Sequence, residues 1–249
     1  MTAHFTAAQW LLACVAAIGI GVSKSGLPGI SLLHVVIFAQ LFPGLQSTGV
    51  VLPMLIAGDI GAVLLFRRNA DWHHVVRTLP PAVAGVAAGW WLMGHMNSAR
   101  FGPVIGCIVL GLACLQLFRD WRPELWRQVP HSRIFATSIV FTAGVTTMLA
   151  NAAGPVMGIY LVSVSLPKET FVGTSAWFFL LINLIKVPFS AQRGLITPDT
   201  LSFKLLLIPM IAAGLFLGKT VVAKLPQKIF DTLVIAFALV ASIRLFGIF

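Results

Sequence analysis

The stretches Ser23-Lys24-Ser25-Gly26-Leu27-Pro28-Gly29 and Asn151-Ala152-Ala153-Gly154-Pro155 lie about 127 residues apart, and each contains a break between two apolar runs. The breaks are Ser23-Lys24-Ser25-Gly26 in the first half and Asn151-Ala152-Ala153 in the second. All four runs are shorter than the roughly 20 apolar residues of a spanning helix. Non-helical backbone at membrane depth must be buried in protein or line a cavity. We therefore expect each pair to form a bent hairpin whose tip lies within a membrane. The alternative is that every run spans fully and tight turns join them.

The composition of the chain indicates a membrane protein. Of its 249 residues, 58% are hydrophobic and only 10% are charged, whereas about 25% are charged in soluble domains. The net charge of +10 would suggest nucleic acid in a soluble protein. Here the basic residues lie in short loops between apolar runs, which predicts contact with anionic lipids at the cytoplasmic face and no nucleic-acid partner.

Ten apolar runs divide into two sets of five. Runs three, five, eight, nine and ten reach or nearly reach spanning length. We expect the first run to be retained in the mature protein, since no convincing cleavage site follows it. The ten runs cover residues 6–22, 27–42, 46–66, 78–94, 101–118, 134–150, 154–166, 170–190, 203–222 and 229–249.

The two sets of runs form a repeat. A shift of 127 to 129 positions places Pro28 on Pro155 and Pro80 on Pro209. An odd number of runs per repeat inverts the second repeat relative to the first. The predicted fold is an all-α polytopic membrane protein with two inverted-topology repeats, whose broken or re-entrant helices meet near mid-membrane. The first repeat covers residues 1–118, a cytoplasmic linker covers 119–133, and the second repeat covers 134–249.

The distribution of Lys and Arg gives the orientation. Of the 17 basic residues, eleven fall on one predicted side and four on the other, while Lys24 and Lys186 fall at membrane depth. Because Lys and Arg gather on the cytoplasmic side, we expect both termini to be extracytoplasmic, in the inner membrane of a bacterium. Inverted repeats are typical of secondary transporters, which bind substrate where the repeats meet.

The two interruptions are candidate anion sites. Pro28 suits the first turn of a helix, and the free N–H groups and dipole of such a turn attract anions. The first interruption adds the charge of Lys24 and the hydroxyls of Ser23 and Ser25. The alternative for Lys24 is an ordinary loop lysine at the interface. The predicted substrate-binding residues of the two interruptions are Ser23, Lys24, Ser25, Gly26, Gly29, Asn151, Ala152 and Gly154.

Asp59 and Lys186 lie inside long apolar runs at the same repeat position. A charge at the bilayer centre costs at least about 2.5 to 3.5 kcal/mol by insertion scales. One interpretation is a buried ion pair between these two residues that ties the repeats together. The other is that Lys186, with nearby Asn183, faces an anionic substrate while Asp59 carries a proton.

Several smaller patterns complete the prediction. Ser47 and Thr174 open equivalent runs, either as helix N-caps or as hydroxyl ligands of the substrate. The Gly-x-x-x-Gly patterns at Gly85/Gly89 and Gly214/Gly218 predict close helix packing. No metal-ligand cluster, nucleophile–base set or nucleotide-binding glycine loop occurs in the sequence, so we expect no metal, no cofactor and no enzymatic activity.

Four strings together resemble the sulfite exporter TauE/SafE family, also called the toluene sulfonate uptake permease family. They are Gly21-Val22-Ser23-Lys24-Ser25-Gly26-Leu27-Pro28-Gly29, Gly58-Asp59 followed by Phe66-Arg67-Arg68 and Asp71-Trp72, Asn183-Leu184-Ile185-Lys186-Val187-Pro188, and Asn151-Ala152-Ala153-Gly154-Pro155. The resemblance covers nearly the whole chain. It implies an inner-membrane carrier of small sulfur-containing anions such as sulfite, sulfoacetate or other organosulfonates.

The leading hypothesis is therefore a secondary transporter for these anions, working as a proton-coupled exporter. An anion channel of the same architecture, or a carrier of other small carboxylates or oxyanions, is the alternative. A membrane-embedded enzyme ranks last because the sequence lacks a catalytic constellation. The sequence leaves open whether the protein forms a homodimer.

Overall fold

The computed structural model describes residues 5–25, 30–42, 45–121, 132–164, 166–197 and 201–220. These residues form α-helices, one short 3-10 segment (Arg67–Asn69) and connecting loops, with no strand among them. The helices of the first half are α1 (Ala7–Lys24), α2 (Ser31–Leu41), α3 (Gln46–Phe66), α4 (Trp72–Gly94) and α5 (Ser98–Trp121). Those of the second half are α6 (Arg133–Ala150), α7 (Gly154–Ser163), α8 (Lys168–Gln192) and α9 (Leu201–Thr220).

Nine of the ten predicted apolar runs coincide with these helices, and the tenth lies outside the described residues. Within the described ranges, six helices are long and apolar enough to cross a membrane, namely α1, α3, α5, α6, α8 and α9. This confirms the all-α polytopic membrane fold. The opposite membrane orientation of the two halves stays a prediction.

The two helix pairs at the interruptions differ from the prediction in one respect. α1 and α6 each have 18 residues and are of spanning length, so the prediction that both members of a pair are too short is wrong for these two. α2 and α7 have 11 and 10 residues, or about 15 to 17 Å of helix, against a hydrocarbon core of about 30 Å. In each pair a long helix is thus followed by a short one.

Local sequence accounts for several helix boundaries. Thr6 and Gln9 form a capping box at the start of α1, while Asp71 caps α4 through the N–H groups of His73 and His74. α6 ends at Asn151, whose φ of 54° is the one positive value among the described non-glycine residues. Asn tolerates this left-handed conformation better than most side chains do. The chain can therefore turn sharply into α7.

Two helix crossings pack backbone against backbone at glycines. At α4 and α6, Gly85 lies against the carbonyl oxygen of Phe141 and Gly144 lies against that of Ala82. At α1 and α9, Gly214 lies against the carbonyl oxygen of Ile18 and Gly21 lies against that of Ile211. A Cβ atom at any of the four glycines would meet these backbone atoms. The predicted close packing at the Gly-x-x-x-Gly patterns is confirmed for Gly85 and Gly214.

α3 and α8 run antiparallel beside each other. The start of α3 lies against the end of α8, where Gly49 packs on the backbone of Leu195. The end of α3 lies near the start of α8, where Asn69 donates a hydrogen bond of 3.1 Å to Glu169. Asp59 and Lys186 project from this central pair and are 0% and 1% exposed.

Candidate functional site

A chain of polar side chains connects the two interruptions through the α3–α8 pair. The Lys24 ammonium lies 2.7 Å from Asp59 Oδ1. Asn183 donates from Nδ2 to Asp59 Oδ2 at 2.7 Å, and its Oδ1 accepts from Lys186 at 3.2 Å. Lys186 also donates to Asn151 Oδ1 at 2.6 Å. The network therefore runs without a gap from the end of α1 to the end of α6.

The ion pair in this network is Lys24–Asp59, and it replaces the predicted alternative of a direct Asp59–Lys186 pair. Asn183 lies between Asp59 and Lys186 and contacts both. The three N–H groups of the Lys186 ammonium are accounted for by Thr147, Asn151 and Asn183. With both lysines charged and Asp59 ionised, the network carries one net positive charge.

The network borders a cavity whose empty volume, including its mouth, is about 560 Å³. Its polar lining residues come from both halves of the chain, and the first turn of α7 borders it at Gly154. The Lys24 ammonium lies 4.6 Å from the centroid of the Phe179 ring, which also borders the cavity. The polar lining residues are Ser23, Lys24, Ser31, His34, Thr147, Asn151, Ser175 and Asn183.

A second, smaller cavity lies on the other side of Asn151. It is lined by Ser47 and Thr48 at the start of α3 and by Phe38 of α2. Near the start of α8, the first cavity is lined instead by Phe171, Val172, Ser175 and Ala176. Because α3 and α8 are antiparallel, the two cavities lie toward opposite ends of this helix pair. Asn151 lines both cavities and donates to the carbonyl oxygen of Thr48 at 3.0 Å.

Some predicted site residues lie in the first cavity and others do not. Ser23, Lys24, Asn151, Gly154 and Asn183 line it. Lys186 does not line the cavity itself, but its ammonium donates hydrogen bonds to three residues that do. Gly26, Gly29 and the predicted helix start at Pro28 lie outside the described residues.

The remaining predicted residues have structural contacts of their own. Ser25 donates to the carbonyl oxygen of Val22, and Ala152 is 0% exposed in the apolar core. Thr174 accepts from the N–H of Asp71 at 2.9 Å, which fixes the loop before α4. The N-cap alternative for Ser47 and Thr174 is wrong, because the N-cap positions of α3 and α8 are Leu45 and Pro167.

Lys24 is placed differently from the prediction as well. The prediction put it in a non-helical interruption, but it is the last residue of α1. Its side chain is 9% exposed and lines the cavity, so the alternative of an ordinary loop lysine is wrong. His34, Thr147 and Phe179 also border the cavity and are not among the predicted site residues. The signal available for His34 was its position as a lone ionisable residue in an apolar run, a placement typical of functional sites in membrane proteins.

Six apolar helices of spanning length and a buried polar network beside a cavity define a multi-pass membrane protein with an internal site. The chain belongs to the sulfite exporter TauE/SafE family, since the model of that family, described as "Sulfite exporter TauE/SafE", matches residues 11–245. This confirms the resemblance seen in the sequence. It also makes the protein a member of a family of membrane transporters for sulfur anions such as sulfite. No curated protein and no solved structure matches the chain.

Proposed function

We propose that this protein is a secondary carrier of small sulfur-containing anions, sulfite or organosulfonates such as sulfoacetate, across the bacterial inner membrane. The observation that carries the proposal is the buried network of two lysines and one carboxylate beside the cavity, which has one positive charge in excess when all three groups are charged. Asp59 offsets one lysine, and an anion in the cavity would offset the other. The Lys24 ammonium and the first turn of α7 at Gly154 both border the cavity, so an oxyanion there has a charge and helix N–H groups within reach.

The two cavities favour a carrier over a channel. A carrier opens its site to one side at a time, whereas a channel needs a continuous path. Asn151 lines both cavities, which lie toward opposite ends of the α3–α8 pair, and hydrogen bonds with Lys186 and Thr48 hold its side chain in place. This arrangement supports a site that is closed on one side of Asn151 when it is open on the other.

We propose Asp59 as the proton-coupling residue. Its carboxylate contacts the Lys24 ammonium, which in turn borders the cavity. An anion that draws Lys24 toward itself weakens this ion pair and leaves a buried carboxylate that favours taking up a proton. Anion binding and protonation are thereby linked through one lysine.

The test is counterflow of radiolabelled sulfite into liposomes that contain the purified protein. We expect saturable counterflow in the wild type and in Asp59→Asn, but proton-driven accumulation only in the wild type, because an amide cannot cycle a proton. Lys24→Met should weaken sulfite binding by about tenfold or more, as expected for a lost contact to a charged group. Lys219→Met is the matched control, since it removes an exposed lysine at the end of α9.

Stability and binding are separated by measuring Lys24→Met also in the Asp59→Asn background, where no buried carboxylate is left unpaired. If the wild type neither binds nor exchanges sulfite or sulfoacetate, the proposed function is wrong. An ohmic sulfite current without counterflow would favour the channel.

A further inference from the structure

His34 is a buried histidine whose two ring nitrogens have no hydrogen-bond partner among the described residues. It lies in the short helix α2 and is 1% exposed. Its side chain nevertheless lines the cavity that Lys24 and Asn151 also line. The imidazole is therefore hidden from bulk solvent but adjacent to the space that would hold a substrate.

An unpaired imidazole at this position is costly for the folded protein. The large majority of buried polar side-chain atoms have a hydrogen-bond partner, and leaving one unpaired carries the desolvation penalty of that group. An apolar side chain of similar shape would fill the same space without this penalty. Buried polar residues that lack a hydrogen-bond partner, with no other contact to offset the cost, are typical of functional sites.

The groups around His34 indicate what the missing partner is. Lys24, on α1, lines the same cavity as the imidazole. The charged residues of the neighbouring helices are already engaged, Asp59 with Lys24 and Asn183, and Lys186 with its three acceptors. A cation entering the cavity would meet Lys24, and no described lining residue offers a free carboxylate to offset it. An anion would be attracted by Lys24 and could accept a hydrogen bond from His34.

Imidazole chemistry fits this role in either tautomer. A neutral histidine always carries one N–H donor, and a hydrogen bond to an ionised acceptor is roughly twice as strong as one between neutral groups. We propose that His34 is a direct ligand of the transported anion and donates a ring N–H to one of its oxygens, while Lys24 supplies the charge. This inference rests on the proposed function and adds a binding residue from α2 to it.

The test is the dissociation constant for sulfite of detergent-solubilised variants. His34→Phe keeps an aromatic ring but has no donor, and its dissociation constant should rise by about ten- to a hundredfold, the effect of losing one hydrogen bond to a charged group. His34→Gln restores an N–H donor of similar reach and should bind within a few-fold of the wild type. The matched control is Gln116→Leu, because Gln116 is also buried and lacks a partner among the described residues but does not line the cavity. It should bind sulfite as the wild type does.

Melting without ligand distinguishes a ligand from a structural residue. Removing an unpaired buried polar group relieves its desolvation penalty, so His34→Phe should melt at or above the wild-type temperature while it binds sulfite more weakly. A loss of both stability and affinity that His34→Gln does not restore would make His34 structural and overturn the inference.

Unchanged sulfite affinity in His34→Phe, with a wild type that binds, would also overturn the inference and leave the proposed function intact. A wild type that binds neither sulfite nor sulfoacetate would instead reject the proposed function itself. If His34→Phe fails to fold, spectra of wild-type protein labelled with ¹⁵N-histidine provide the second measurement. The ring ¹⁵N resonances that are absent from His34→Gln should shift when sulfite is added, and their failure to shift would overturn the inference.

Discussion

Replacing Lys24 by Met should destabilise this protein severely, and replacing Asp59 by Asn in the same chain should reverse most of the loss. The two side chains are 9% and 0% exposed, and their charged atoms lie 2.7 Å apart. Removing one partner of a buried ion pair typically costs about 3–5 kcal/mol, because the remaining charge stays buried without compensation. Lys24→Met should lie at the upper end of this range, since the carboxylate it leaves behind is fully buried.

Asp59→Asn should cost less than Lys24→Met. The lysine that it leaves unpaired borders the cavity, where water can solvate the ammonium. The double variant keeps no unpaired charge, and replacing a whole buried pair by neutral groups is often close to neutral for stability. The coupling energy between the two positions should therefore be at least about 3 kcal/mol, at or above the upper end of values for contacting residues.

The assay is SDS-induced unfolding in detergent micelles, followed by far-UV circular dichroism, for the wild type, both single variants and the double variant. A second cycle with Asp59→Asn and Lys186→Met is the control, because Asn183 separates these residues and their coupling should be smaller. Additive losses in the Lys24–Asp59 cycle would refute the ion pair as a structural element. A coupling energy that is larger for Asp59 and Lys186 than for Lys24 and Asp59 would instead support the direct Asp59–Lys186 ion pair.

Two further predictions concern packing and topology. Gly85→Ala places a Cβ against the carbonyl oxygen of Phe141 and should lower the unfolding free energy by about 1–3 kcal/mol, typical of overpacking. The control is Gly111→Ala, whose Cβ meets no atom within 4 Å and which should be neutral or stabilising in the same unfolding assay. Equal effects of the two substitutions would contradict the close crossing of α4 and α6. A reporter fused after Trp121 should be cytoplasmic and one fused after Phe249 extracytoplasmic, because Lys and Arg concentrate on the predicted cytoplasmic side, and equal signals at the two sites would reject the inverted repeat.

The sequence predicts the helices of this protein well because apolar length is a strong signal. A bilayer imposes about 20 apolar residues on a spanning helix, and Gly or Pro mark the ends of the runs. The signal is weaker where polar residues continue a helix. α1 extends through Ser23 and Lys24, and α4 begins at Trp72 rather than near residue 78. In both places hydrogen bonds and caps continue the helix beyond its apolar run.

Which residues contact each other in the candidate site is harder to predict from the sequence than which residues lie there. The repeat position shared by Asp59 and Lys186 suggested that they pair, but pairing depends on which side chain reaches which in space. Lys24 could not be assigned to Asp59 from spacing, because the contact depends on α1 continuing as a helix to residue 24. For His34 the sequence offers one signal, an ionisable residue in an apolar run, and neither periodicity nor a motif adds to it. The structure adds that its nitrogens lack partners among the described residues and that it lines a cavity.

With both lysines charged and Asp59 ionised, the charge excess of the network arises from unequal side chains that follow the two glycine crossings. Gly21 and Gly144 make equivalent crossings, with α9 and α4 respectively, and Lys24 and Thr147 each follow three residues later. Lys24 contacts Asp59, and Thr147 contacts Lys186, the residue that the repeat places on Asp59.

In the first half the opposite charges of Lys24 and Asp59 cancel. In the second half a neutral hydroxyl and two amide oxygens satisfy the hydrogen bonds of Lys186, so its ammonium, when charged, has no carboxylate in direct contact. Such a charge, buried in a medium of low dielectric, acts over a longer distance than it would in water. It can therefore attract an anion into the cavity without contacting it. In the proposed anion site, Lys186 would thus set the potential, while Lys24 at the cavity wall would contact the anion.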